Sequence, residues 1–219
     1  MSQPISGTIS LSLRDCALGF YGKIPARGDF IRSGLPYAFI DPWDRWLQEG
    51  IAASRAELGD EWVAAWLEAP IWSFALAPGI CGPDAALGLW MPSVDRVGRH
   101  FPLTLAAIVP GGNLSELVCN NGGFLAAAEQ AGLVAVESDL EPDELAARIR
   151  AAAEAAQADP GVDPSAYSSG ITALYWSQGS QRMPGFTFAG AALPDASQFV
   201  KMLDAVVPII PAEGVTAYD

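Results

Sequence analysis

Residues 71–109 read IWSFALAPGICGPDAALGLWMPSVDRVGRHFPLTLAAIV. Three runs of this stretch, 71–77, 86–91 and 101–109, are rich in aliphatic and aromatic residues and are separated by proline and glycine, which predicts three β-strands. The short connections between them favour an antiparallel meander. Because the runs are almost wholly apolar rather than alternating, we expect both faces of the sheet to be covered.

The second connection of this stretch carries charge. Residues 92–102 contain Asp95, Arg96 and Arg99, and the only histidine of the chain, His100, lies beside them. Buried or half-buried charges destabilise a fold unless they are paired. This loop is therefore either an internal ionic latch or a functional site.

Length and composition indicate one domain. The chain has 219 residues, of which 51% are hydrophobic and 17% charged, enough for one well-buried core without a second domain of ordinary size. We divide it into an N-terminal extension (1–17), a motif-rich half (18–110), an acidic half (111–205) and a tail (206–219). No run approaches the ~20 apolar residues of a spanning helix, and the first residues lack the features of a secretory signal. We expect no membrane insertion.

Cysteine usage and charge restrict the compartment and the partners. Cys16, Cys81 and Cys119 are odd in number and widely spaced, which predicts a cytoplasmic protein without a disulfide framework. The net charge is −13; residues 1–110 carry 8 basic and 11 acidic side chains, whereas residues 111–219 carry 4 and 14. Such a chain repels phosphate backbones, so we expect no nucleic-acid partner. A basic or mixed protein surface is a better match, although the acidity also keeps an apolar protein soluble.

Further elements are predicted on both sides of the central stretch. A strand at 18–24, a helix that begins at Asp41-Pro42 and a short helix at 62–67 come before it. After it come a helix that begins at Asn113, a helix at 143–157, strands at 171–176 and 186–189, and a helix capped by Asp195. The order β-α-α-β-β-β-α-α-β-β-α indicates a single-domain α/β fold, with one sheet and helices on both faces.

Catalysis has little support in the sequence. One histidine cannot form a multi-histidine metal site, no Asp/Glu/Cys cluster has metal-ligand spacing, and no GxSxG elbow is present. A hydrolase that uses His100 is one alternative. A small-ligand or nucleotide sensor built on the glycine-rich turns is the other, but the turn at 78–83 lacks the Lys-Ser/Thr of a P-loop and the turn at 120–123 follows a helical pattern. We expect a protein that is not an enzyme and that binds no metal or cofactor.

An ordered set of motifs occupies residues 19–109. They are GFYGKIPARGDF (19–30), Leu35-Pro36, FIDPWDRWL (39–47), FALAPG (74–79) and PSVDRVGRHFPLT (92–104), and Tyr175-Trp176-Ser177 adds a weaker match. This set resembles the TagF family, accessory proteins encoded with bacterial type VI secretion systems.

The resemblance implies a non-enzymatic regulator. TagF-like proteins hold type VI secretion in check after translation, and they are thought to engage the forkhead-associated scaffold protein of the apparatus. The resemblance also implies a three-layer α/β/α sandwich, and we expect its central sheet to be mixed and largely antiparallel. It leaves the oligomeric state open.

The candidate site consists of six charged residues from two motif loops: Lys23, Arg27, Asp29, Asp95, Arg96 and Arg99. We expect Asp29 or Asp95 to form charge-assisted hydrogen bonds to Arg96 or Arg99 and thereby to fix both loops on one rim of the sheet. Two roles fit this cluster, a buried latch between the loops and a partner-binding surface.

Overall fold

A computed structural model describes residues 13, 16–155 and 170–204. These residues form an α/β fold around one seven-stranded sheet of order β2-β1-β5-β4-β3-β6-β7. The strands are β1 Ala17–Gly22, β2 Ile31–Ser33, β3 Trp72–Leu76, β4 Ala85–Met91, β5 Leu103–Val109, β6 Ala173–Gly179 and β7 Pro184–Gly190. All neighbouring strands pair antiparallel. The largely antiparallel sheet is thus confirmed, whereas its expected mixed character is wrong for the described strands.

Six α-helices accompany the sheet in the described residues. They are α1 Tyr37–Leu58, α2 Trp62–Glu68, α3 Leu114–Asn120, α4 Gly122–Glu137, α5 Pro142–Ala155 and α6 Ala196–Leu203. A single turn of 3₁₀-helix joins α1 to α2. Among these described elements, no helix combines the length and the apolar composition that a membrane crossing requires.

The central meander matches its prediction. Strands β3, β4 and β5 are consecutive and antiparallel, and every residue of β4 and β5 is buried. The two predicted caps are also confirmed, since Asn113 accepts from the amide of Glu116 and Asp195 forms a capping box with Gln198. The predicted end of the helix 143–157 and the tail 206–219 lie outside the described residues.

The first helix begins earlier than predicted. Its N-cap is Pro36, in an extended conformation, and Asp41 and Pro42 lie inside α1 rather than at its start. Proline lacks an N–H, so the carbonyl of Ala38 loses its helical donor there. Gly82 packs against this carbonyl, where a β-carbon would lie 2.8 Å from the oxygen. Pro42 is the sixth residue of α1, beyond the first turn, so it removes one hydrogen bond of the helix.

Two elements were not predicted. Strand β2 has only three residues, too few for a periodic pattern. Helix α4 lies in the region predicted as a single helix beginning at Asn113. The helix is interrupted at Asn121, whose backbone is non-helical, and a second helix starts at Gly122.

Side chains of the sheet belong to two hydrophobic clusters. Leu87 and Leu89 of β4 pack in a mainly aliphatic cluster that includes Phe124 of α4. Trp90 of β4 belongs instead to an aromatic cluster, with Trp43 of α1. This alternation follows from the period of two along a strand.

Pairing at one end of the sheet brings the two motif loops together. Gly22, the last residue of β1, is paired with Leu103 of β5, and Leu103 is paired with Met91 of β4. The segment after β1 and the β4–β5 connection therefore leave the sheet at the same end. Gly22 has φ +140°, and a β-carbon there would lie 2.0 Å from the carbonyl oxygen of Pro102. Only glycine allows this close approach.

Candidate functional site

Two loops form one rim at this end of the sheet. We call residues 23–30 and 92–102 the rim. Ser93 Oγ donates to the carbonyl of Lys23 at 2.8 Å, and the amide of Arg96 donates to the carbonyl of Arg27 at 3.0 Å. Two hydrogen bonds between uncharged groups thus join the two loops.

Asp95 is the centre of the charged contacts on the rim. Its Oδ2 lies 2.7 Å from Lys23 Nζ and 2.6 Å from Arg99 Nε. Its Oδ1 accepts from the backbone amides of Val97 and Arg99 at 3.0 and 2.9 Å. Both carboxylate oxygens are therefore engaged, one by two cations and the other by the turn of its own loop.

The environment of Asp95 keeps it ionised. Its side chain is 0% exposed and that of Lys23 is 6% exposed. Burial by itself raises the pKa of Asp95, but hydrogen bonds from Lys23, from Arg99 and from the amide of Val97 outweigh burial and hold this pKa well below its usual range. The carboxylate is a fixed negative charge, not a proton donor at neutral pH.

Arg99 also reaches the other loop. Its side chain is 56% exposed, and its guanidinium donates to the carbonyl of Gly28 and lies 3.9 Å from the carboxylate of Asp29, whose side chain is fully exposed. Of the expected contacts, Asp95–Arg99 is a close ion pair and Asp29–Arg99 is a long one at the surface. Arg96 contacts no carboxylate in the described contacts and donates instead to the carbonyl of Ala26.

Arg27 points to a different partner. Its guanidinium binds Glu141, which precedes α5, and both side chains are about half exposed. The structure therefore brings Lys23, Asp95 and Arg99 together and leaves Arg27 outside this cluster. Glu141 was not a predicted site residue, because nothing in its local sequence relates it to a loop more than a hundred positions away.

His100 lies in aromatic surroundings. Its ring packs edge-on against Trp62 and Trp66 with centroids 5.1 and 6.3 Å apart. Burial and the charge of Arg55 lower its pKa, while Asp95 acts in the opposite direction. The neutral imidazole is thus favoured, as expected for a side chain that packs against aromatic rings.

Two surface clefts of the described residues contain no rim residue in their lining. One is lined by Leu18 and Arg150, and the other by Trp176 and Val118 beside α3 and α4. Both lie away from the rim. In the described ranges, no group of three metal-ligating side chains occurs.

Two aromatic residues at and beyond the end of the rim loop 23–30 are exposed, which was not predicted. Phe30 and Tyr37 are 49% and 59% exposed. Phe30 stacks on Tyr21 with centroids 5.6 Å apart, and the Arg32 guanidinium lies 4.3 Å from the centre of the Tyr37 ring. Phe30 is the last residue of the motif 19–30 and Tyr37 is the first residue of α1, and no local pattern predicts that both are exposed.

Comparisons with known proteins agree with the motif pattern. The family model described as TagF N-terminal domain, type VI secretion system-associated, matches residues 19–152, which contain both rim loops. The crystal structure of PA0076 from Pseudomonas aeruginosa PAO1 is similar to this chain, with a TM-score of 0.75 and 34% identity over 91% of this chain and 100% of that one. No curated protein matches the sequence. The chain therefore belongs to the TagF family, associated with type VI secretion.

Proposed function

We propose that this protein restrains type VI secretion after translation by binding the forkhead-associated scaffold protein of the apparatus. It acts in the cytoplasm as an interaction protein, not as an enzyme, and needs no metal, cofactor or nucleic acid. The observation that carries this proposal is the family match over residues 19–152. The same proposal includes the three-layer α/β/α arrangement, which the two hydrophobic clusters support.

The geometry of the rim supports binding rather than catalysis. Asp95 is buried against Lys23 and its pKa is low, so it is unsuited to exchange protons near neutral pH. His100 packs edge-on against the rings of Trp62 and Trp66. Arg99, in contrast, keeps more than half of its side chain exposed.

A binding experiment tests the proposal. The purified protein is titrated into the purified scaffold protein by calorimetry, and we expect a saturable complex. In cells with an active apparatus, overproduction should lower secretion of the substrate while the amounts of the apparatus components stay constant. Absence of a complex, or a fall in component amounts that accounts for the lost secretion, would overturn it.

Replacing Arg99 by alanine separates the two roles of the rim. If the rim is a latch, Arg99→Ala lowers the melting temperature and affects scaffold binding only through the fold. If it is a docking surface, binding falls while the melting temperature is unchanged. Arg148→Ala is the matched control, since Arg148 forms an exposed pair with Glu144 at 2.9 Å on α5.

A further inference from the structure

A cleft lies on the sheet face that carries the aliphatic cluster, where β3 and β6 meet the beginning of α4. Its volume is about 300 Å³, at the lower end of the range for small-molecule sites, on the order of 300–1,000 Å³. The sheet contributes Ser73 and Trp176, which are paired across β3 and β6, and α4 contributes Leu125 and Glu129. This volume suits one long side chain or a small organic molecule.

Trp176 differs from the other tryptophans of the chain. It is only partly buried and packs against the aliphatic cluster beside the cleft. The other six are buried in the aromatic cluster, at positions 43, 46, 62, 66, 72 and 90. The face of an indole ring attracts a cation within about 6 Å of its centre, and arginine is the side chain found there most often. Trp176 therefore offers the cleft a surface on which a planar cation can stack.

Glu129 brings an uncompensated negative charge to the cleft. It is partly buried and lies one helical turn after Leu125 on α4. None of the hydrogen bonds and ion pairs of the described residues involves Glu129, and their lining of the cleft includes no basic side chain. A cation that enters the cleft thus meets a carboxylate whose oxygens are both able to accept.

The basic residues of the acidic half lie outside this cleft. Residues 111–219 carry 14 acidic and 4 basic side chains. Arg148 and Arg182 form ion pairs with carboxylates that are not part of the cleft lining. Arg150 lines the other cleft, and Lys201 belongs to α6, which packs in the aromatic cluster on the opposite face. Electrostatic complementarity therefore favours a positively charged occupant.

We propose that this cleft binds the side chain of an arginine that a protein partner presents. The planar guanidinium stacks on Trp176 and donates a pair of hydrogen bonds to the carboxylate of Glu129, a geometry that an ammonium group cannot match. The methylene stem packs on Val118 and Leu125. A free amino acid is disfavoured, because the described lining has no basic side chain to hold its α-carboxylate. The inference goes beyond the proposed function, since it concerns a second surface and does not depend on which protein presents the arginine.

Nuclear magnetic resonance of the full chain tests the inference with N-acetyl-arginine methylamide, which carries the arginine side chain between two amide groups as a peptide does. The signal is the indole N–H of Trp176, identified by its loss in Trp176→Phe. We expect saturable shifts with a dissociation constant on the order of 1 mM. Glu129→Gln should raise this constant at least about tenfold, because it removes charge-assisted hydrogen bonds. Glu137→Gln is the matched control, since Glu137 is exposed on the same helix outside the cleft lining, and it should bind within about twofold of the wild type.

Three related compounds test the chemistry and the source of the ligand. The citrulline counterpart has a similar shape without the charge and should give no saturable shift, and the lysine counterpart should bind more weakly than the arginine compound. Equal binding of the citrulline compound, or tighter binding of the lysine compound, would overturn the assignment to a guanidinium. Tighter binding of free arginine would reassign the cleft to a free amino acid. If no compound shifts the Trp176 signal, the cleft is not a cation site, and the proposed function, which is tested on the scaffold protein, is unaffected.

Discussion

Two ion pairs involve residues of the loop 23–30, Lys23–Asp95 and Arg27–Glu141, and they differ in burial. Lys23 and Asp95 are 6% and 0% exposed and share their contact with Arg99 and two backbone amides. Arg27 and Glu141 are 47% and 54% exposed. Both pairs join residues distant in sequence, but only the buried pair would leave a charge without solvent if one partner were lost. Burial rather than the number of charges determines what each pair contributes.

Removing Asp95 should produce the largest effect on this comparison. In Asp95→Ala, Lys23 stays buried without its counter-charge and the amides of Val97 and Arg99 lose their acceptor. We expect the free energy of unfolding in urea to fall by about 3 kcal/mol, near the lower end for breaking a buried pair because Arg99 is half exposed. Asp29→Ala is the control, since Asp29 is fully exposed beside the same Arg99. If the two variants lose the same free energy of unfolding, burial does not distinguish the two pairs.

Lowering the pH should have the second largest effect, and it should act on the buried pair. The folded pKa of Asp95 is lowered by Lys23 and Arg99 against the effect of burial. Its contribution is therefore fully present above the pKa of an unfolded aspartate, about 3.9, and is lost as the pH falls through the lower folded pKa. The difference in unfolding free energy between wild type and Asp95→Asn should be constant from about pH 5 to 7 and shrink below about pH 4. A difference that grows in acid would contradict a stabilised carboxylate.

Neutralising both partners sharpens the comparison further. In the double variant Lys23→Met/Asp95→Asn, the side-chain amide oxygen introduced at position 95 can still accept from the backbone amides of Val97 and Arg99, and no buried charge is left unpaired. We expect the double variant to be more stable than the sum of the single changes predicts, by about 1–2 kcal/mol. Urea unfolding of the four proteins of this cycle measures the coupling. Additive effects would mean that Lys23 and Asp95 do not interact in solution.

Local patterns were sufficient to predict much of this fold. The apolar runs around Trp90 and Leu105 predicted the buried meander because a strand covered on both faces needs no alternation. The caps at Asn113 and Asp195 depend on side chains three residues away, so they too are visible in the sequence. Asp41-Pro42 misled the prediction of α1, because this pair is typical of a helix start whereas α1 already begins at Tyr37.

The candidate site was predictable only in part. Asp95 and Arg99 lie four residues apart in one loop, and their pairing is a local event. The partners Lys23 and Glu141 depend on which strands are neighbours and on where α5 begins, which no local pattern contains. Strand β2 likewise depends on its pairing with β1, because its three residues are too few to form a pattern of their own.

The exposed pair should give the smallest effect. In Arg27→Ala, the carboxylate of Glu141 stays in contact with water, so no buried charge is left unpaired. The carbonyl of residue 27 still accepts from the amide of Arg96. We expect the free energy of unfolding to fall by less than about 1 kcal/mol, and by less still in high salt, because exposed pairs are screened. Urea unfolding at low and high salt measures both. A loss as large as that of Asp95→Ala would mean that Arg27 and Glu141 hold α5 against the rim more firmly than their exposure indicates. Burial would then not separate the two pairs, because the exposed pair Arg27–Glu141 would stabilise the fold as much as the buried pair Lys23–Asp95.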